Sequence, residues 1–244
     1  MDSQILAQIE FLIANLSNLL IGFPNQRPGG LLLSILLALF GVGIGFLIAL
    51  AVGSGRGSRI FWIRWISRLY IEIFRGLPLI LLLVLVYQVL GGRRFGLDMT
   101  PRTAAMITLA LYSGAYQAEI VYAGLNAIPK QLVDSFRVIG GSPWQVFFWI
   151  KMRYAIRVML PAFLGQAISL FKDTSVVVII GVADLMTVGR AVLGSDVKNL
   201  SYWVSLYLFI GFIYFIIAFG ISKIVRRSEL AQQSNDFVYS LVNF

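Results

Sequence analysis

The chain has 244 residues, 59% of them hydrophobic and 13% charged, with a net charge of +9 and a mean hydropathy of +0.85. Soluble domains carry about 25% charged residues, so the bulk solvent for this chain is lipid. It has no Cys and no His, which excludes disulfides, Cys or His metal sites, and acid–base or nucleophilic chemistry built on those side chains. Its Lys and Arg flank apolar runs rather than forming one patch, so they read as loop charge of a membrane protein and not as a nucleic-acid footprint.

Residues 1–28 have a character of their own. Ile5, Leu6, Ile9, Leu12, Ile13, Leu16, Leu19 and Leu20 recur at helical spacing, with Gln4, Gln8, Asn15 and Asn18 opposite. The pattern predicts an amphipathic helix on the outer interface, ended by "FPNQRPGG", with a short sixth span as the competing reading. The first basic residue is Arg27, so no secretory leader with a positive start is expected.

Residues 29–225 read as a transmembrane domain. The run 31–52 has 22 residues without charge, enough to cross a core of about 30 Å. Within it Gly41, Gly45, Ala49 and Gly53 recur every four residues, a smooth stripe that lets another helix approach closely. Further spans are expected near 69–90, with Glu72 and Arg75 at the start, and near 103–123, with Glu119 inside. The fourth, near 157–180, is interrupted by Lys172 and Asp173, and 201–221 is again charge-free. A cytoplasmic tail, 226–244, completes the chain.

Five spans put the termini on opposite sides. The loops after spans one and three, with the tail, hold twelve basic residues, Arg226 and Arg227 among them. The other side holds seven, including Arg27, Arg93 and Arg94. The richer side is expected to be cytoplasmic, with the N-terminus outside and the C-terminus inside.

The segment "QLVDSFRVIGGSPWQVFF" (131–148) then faces the cytoplasm. Pro129 suits a helix start, and Leu132, Val133, Phe136 and Ile139 share a helix face. Gly140–Gly141 can take positive φ and stop the helix, while Ser142 and Pro143 suit the start of the next. This predicts a short helix, a sharp turn and a second helix, presenting apolar anchors as a helix-in-groove contact requires. A plain re-entry elbow is the alternative.

Ionisable residues within spans usually face a cavity or a partner. Glu72 and Arg75 are three apart and can pair on one helix. Glu119 has no basic neighbour at i±3 or i±4, so it needs another helix, water or substrate. Lys172-Asp173-Thr174-Ser175 offers donors to a carboxylate and acceptors to an ammonium. Glu119 and Lys172 could instead pair as a scaffold. No acid, base and nucleophile converge as a membrane enzyme would need. A channel or secondary carrier acting without an ATPase remains the functional alternative.

Four blocks resemble the permease subunits of ABC transporters for polar amino acids, the histidine/glutamine permease type. These are "YIEIFRGLP" (70–78), "GAYQAEIVYAGLNAIPK" (114–130), the EAA loop of about 129–152, and "LFKDTSVVVIIGVADL" (170–185). Asp134, Ser135 and Phe136 stand at the EAA positions, Gly140 at the glycine and Ile150 at the isoleucine. Met152 and Arg153 replace Leu-Pro. The resemblance implies an all-α, five-span type I importer permease in the bacterial inner membrane, with a cytoplasmic coupling helix. It further implies a second permease chain, a heterodimer being favoured over a homodimer, and an external binding protein. A separate ABC ATPase would dock on Asp134, Ser135, Phe136, Arg137, Gly140 and Gly141, with Phe136 as anchor. It would hold the ATP and magnesium, since this chain has no "GxxxxGK[ST]" and no cofactor of its own is expected. Tyr116, Glu119 and Lys172 to Ser175 become candidates for the substrate pathway.

Overall fold

The computed structural model describes residues 2–26, 28–91 and 98–242, with side chains described for 4–25, 28–91 and 98–223. Arg27, Arg93 and Arg94, and the side chains of Arg226, Arg227 and the rest of the tail, lie outside the described residues. Among the described residues the chain is mainly helical. Its helices are α1 (Asp2–Ile21), α2 (Gly30–Arg56), α3 (Phe61–Gly76), α4 (Leu79–Val84), α5 (Pro101–Asn126), α6 (Lys130–Val138), α7 (Pro143–Gln145), α8 (Arg153–Asp173), α9 (Leu185–Gly194) and α10 (Trp203–Val242). Wider i→i+5 turns extend α4 over Leu85–Leu90 and join α7 to α8 over Val146–Met152.

Among the described residues, four helical stretches are long and apolar enough to cross a membrane: Gln4–Ile21, Gly30–Arg56, Pro143–Ile180 and Val197–Lys223. A broken pair, Phe61–Gly76 with Leu79–Leu90, brings the number to five. One expectation changes here. The span placed at 69–90 starts earlier, at Phe61, and is broken at Leu77–Pro78; Pro78 has no N–H and biases the residue before it away from helix. The last helix, α10, runs unbroken to Val242, past the end of its apolar stretch at Lys223. α5 is less apolar than the other long helices, and its 26 residues reach about 39 Å, enough for a span. Its polar side chains face protein: Thr108, Ser113 and Gln117 are buried.

The chain divides into two compact units, one of Met1–Gly43, Leu77–Ala110 and Ser169–Phe219, the other of Ile44–Gly76, Leu111–Ile168 and Gly220–Phe244. In the first unit, Leu19, Leu185, Val188, Val192, Leu206 and Ile210 form the core. On α1, Gln8 is half-buried and accepts from Ser205 Oγ at 2.9 Å, while Leu19 enters the core with Phe11 and Leu12 against it. Ile5, Ile9, Ile13, Leu16 and Leu20 are exposed. The helix has the length of a span as well as the amphipathic pattern of an interfacial one.

Asp184, wholly buried, begins α9. Its carboxylate accepts from Thr187 Oγ1 (2.6 Å), Thr187 N (2.9 Å) and Met186 N (3.2 Å). Burial raises the proton affinity of this carboxyl, and the bonds from Thr187 and Met186 draw it back.

In the second unit, Ala49, Ile71, Ala118, Val121, Ala155 and Met159 pack together. The small-residue stripe of α2 meets α5 here. A Cβ on Gly45 would lie 2.9 Å from Gly114 N, and one on Gly53 would lie 2.7 Å from both Ala118 O and Val121 Cβ. Any side chain at these two positions would push the helices apart.

Candidate functional site: an arginine–glutamate cluster and a helical elbow

Two features of the second unit carry chemistry. The first gathers charges from three helices. Arg68, Glu72 and Arg75 lie at i, i+4 and i+7 on α3, so they share one face. Arg56 stands at the end of α2, and Tyr116 and Glu119 stand one turn apart on α5. All six line a cavity of about 360 Å³.

Glu119 Oε2 accepts from Nη1 of Arg75 at 3.0 Å and also from Nη1 of Arg56. The Arg56 guanidinium lies 4.3 Å from the Tyr122 ring centroid and that of Arg75 lies 5.2 Å from the Tyr116 ring. Both distances suit cation–π attraction. With side chains 24–39% exposed, the cluster is half in water. Three guanidiniums face two carboxylates, so the cavity has a net positive lining with two acceptor groups inside it.

This corrects the pairing read from spacing. Arg75 reaches across to Glu119 rather than down its own helix to Glu72, and among the described residues Glu72 makes no ion pair. The partners of Glu119 are arginines, not Lys172. Arg56 and Arg68 were missed as site residues. Arg56 is in the sequence only a loop charge, with nothing local to tie it to a carboxylate 63 residues away, whereas the i, i+4 spacing of Arg68 and Glu72 could have pointed to Arg68.

The Lys172–Ser175 stretch does not interrupt its helix. α8 runs to Asp173 and tightens into a 3₁₀ helix over Thr174–Ile180, ended by Gly181 at φ +75°. Thr174 Oγ1 is buried and donates to Phe171 O at 2.7 Å, so that hydroxyl proton is already used. Lys172 is exposed, while Asp173 and Ser175 are half-buried.

The second feature is the elbow. α6 follows Pro129, whose backbone is extended. Gly140 adopts φ +88°, a conformation that side chains with a Cβ rarely take. Gly140 N donates to Arg137 O and Gly141 N to Phe136 O, both at 3.0 Å, which satisfies the last carbonyls of α6. Ser142 then starts α7 with a reciprocal cap: Gln145 N donates to Ser142 Oγ at 3.3 Å, and Ser142 N to Gln145 Oε1 at 2.9 Å. Pro143 takes the first helical position.

Phe136 is not the outward anchor expected. Its ring lies so close over Gly141 that a Cβ there would be 2.3 Å from Cδ1, and the side chain is half-buried in the elbow itself. The outward apolar residues are Val138 (86% exposed), Ile139 (78%) and Trp144 (73%), with Trp144 stacked on Phe148 at 5.9 Å. Asp134 and Arg137 form a loose surface pair at 4.0 Å, and Ser135 is exposed.

Long apolar helices carrying a capped, exposed elbow are the features with which known proteins can be compared. Residues 41–229 match the family described as binding-protein-dependent transport system inner membrane component, and the chain belongs to that family. It is a permease of the ABC importer class, non-catalytic and multi-pass in the inner membrane. The family implies a separate ATPase and an external binding protein as its partners. The chain is 30% identical over 200 residues to the glutamine transport system permease protein GlnP of Escherichia coli K12, covering 82% of this chain and 90% of that one. Against the L-cystine transport system permease protein TcyB of Bacillus subtilis 168 it is 30% identical over 201 residues, covering 82% and 84%. A crystal structure of an amino acid ABC transporter with histidines is similar in fold, with TM-score 0.75, 27% identity, and 93% and 97% of the two chains covered.

Proposed function

We propose that this chain imports polar amino acids, forming half of a translocation pathway beside a second permease chain of different sequence. The substrate class rests on the relatives, whose names specify glutamine and L-cystine, and on the chemistry of the Glu119 cavity. A zwitterion presents a carboxylate and an ammonium. Arg56, Arg68 and Arg75 suit the first, and Glu72, Glu119 and the ring of Tyr116 suit the second. Lys172, Asp173 and Ser175 are further pathway candidates.

The observation that carries the coupling role is the elbow, with Val138, Ile139 and Trp144 turned outward on a rigid capped turn. In this reading these side chains enter a cleft of the ATPase, which holds the ATP and magnesium. Asp134, Ser135 and Arg137 form the polar rim, and Gly140–Gly141 passes the movement to α8 as a rigid body. Phe136 keeps the turn in shape instead of entering the cleft.

The distribution of basic residues supports a topology with the elbow and the C-terminus in the cytoplasm and the N-terminus outside. Because the chain has no native Cys, a Gln4→Cys variant gives a single thiol. A membrane-impermeant maleimide should label it in intact cells, and labelling only after lysis overturns the outside placement.

The deciding experiment is co-purification of the tagged chain with its ATPase. Val138→Asp with Trp144→Asp should abolish recovery of the ATPase while membrane insertion persists. Full recovery removes the coupling role from these residues, and uptake by the chain without any ATPase removes the importer reading altogether. A panel of amino acids offered to the cognate binding protein then reads the substrate class.

A further inference from the structure

The second unit holds another, larger cavity, of about 860 Å³, bounded by the end of α2, the end of α5, α6 and the turns leading into α8. Its floor is apolar, with Val121, Leu125, Val133, Met152 and Met159. Four cations stand in its lining, Arg59, Lys130, Arg137 and Lys151, against one carboxylate, Asp134. Asp134 serves Arg137, at 4.0 Å. Among the described residues, Arg59, Lys130 and Lys151 have no carboxylate within ion-pair reach.

The position matters as much as the charge. Arg59 lies three residues past the end of the apolar helix Gly30–Arg56, and Lys151 stands in the early part of the apolar stretch Pro143–Ile180. Cations at the ends of apolar stretches are placed to meet lipid headgroups, and apolar side chains line the same cavity. Three uncompensated cations at that level attract a phosphate. The volume lies high in the range of about 300–1,000 Å³ typical of small-molecule sites, so a bare phosphate would leave the apolar floor uncovered. The occupant that satisfies both parts is an anion with a hydrocarbon tail.

We propose that this cavity binds an anionic phospholipid, with the phosphate among Arg59, Lys130 and Lys151 and the upper acyl chain on Leu125, Met152 and Met159. The lipid then fills the space beneath α6 and braces the elbow against the ends of α2 and α5. This proposal stands apart from the substrate reading, since it depends on no amino acid and on no particular leaflet.

The test uses the full chain purified in detergent, titrated by native mass spectrometry with dioctanoylphosphatidylglycerol, dioctanoylphosphatidylcholine and sn-glycerol 3-phosphate. The phosphatidylglycerol should bind at least about tenfold more tightly than either of the others. Equal binding of the two lipids overturns the proposal. Equal binding of glycerol 3-phosphate and phosphatidylglycerol overturns it too, by making the cavity a soluble-anion site.

A cation beside an anionic lipid contributes about a factor of five in affinity. Arg59→Gln with Lys151→Gln should thus weaken phosphatidylglycerol binding about 25-fold, whereas Lys198→Gln, outside the cavity, should leave it unchanged. Wild-type affinity in the double variant counts against the site. Arg59→Lys with Lys151→Arg keeps the charge and should keep the lipid preference, which decides the matter if the neutral variant fails to fold.

Discussion

The elbow and the Glu119 cluster belong to the same unit but are held together at opposite ranges. Every bond of the elbow joins residues three to five apart: Gly140 to Arg137, Gly141 to Phe136, Ser142 to Gln145. Glu119 is joined to Arg56 across 63 residues and to Arg75 across 44. A locally closed turn keeps its shape wherever it is carried, which suits a part that must pass on a push. A cluster drawn from three helices exists only while those helices are packed, so it reports their arrangement. The close approach of α2 and α5 at Gly45 and Gly53 makes the Arg56–Glu119 bond possible.

That contrast can be broken by substitution, and the largest effect belongs to the helix contact. Gly53→Leu drives a side chain into Ala118 O and Val121 Cβ, each 2.7 Å from where its Cβ would sit. It should lower stability by about 3 kcal/mol, read as thermal unfolding in detergent. A wild-type transition would mean that α2 and α5 do not meet there.

Glu119→Gln comes next. It leaves two guanidiniums facing each other without their carboxylate. The expected loss is about 2 kcal/mol, between an exposed pair and a buried one, because these side chains are roughly a third exposed. A double-mutant cycle with Arg56→Gln should show coupling, and additive losses would place the two groups apart.

In the elbow the costs are smaller and local. Gly140→Ala forces a Cβ into φ +88°, at about 1.5 kcal/mol. Ser142→Ala removes the cap, at about 1 kcal/mol. Both should speed amide hydrogen exchange between 136 and 146 and leave the α2–α5 contact unchanged. Faster exchange throughout the unit would mean that the elbow is not an independent piece. Smallest of all is Asp134→Asn with Arg137→Gln, under about 0.5 kcal/mol for a loose pair more than half exposed.

The legibility of each region follows its range. Gly140–Gly141, Ser142 and Pro143 announced the stop and restart of the helix because the cap needs only neighbouring residues. The same logic would have found Asp184, an acid directly before the apolar run of α9. The four-residue stripe Gly41–Gly53 announced close packing but not its partner, which is α5 at Gly45 and Gly53. Phe136 was misplaced because a helical wheel assigns a face without saying that Gly141 would fold back beneath the ring.

The sequence by itself determined that the chain lives in lipid, where its long helices run, and where the elbow bends. Hydrocarbon length and backbone capping are properties of contiguous residues. Only the tertiary structure decided which charges meet. It gave Glu119 to Arg56 and Arg75 instead of Lys172, and it turned the polar side chains of α5 inward. An ion pair between helices depends on their approach, and that approach is set by packing surfaces far apart in the chain.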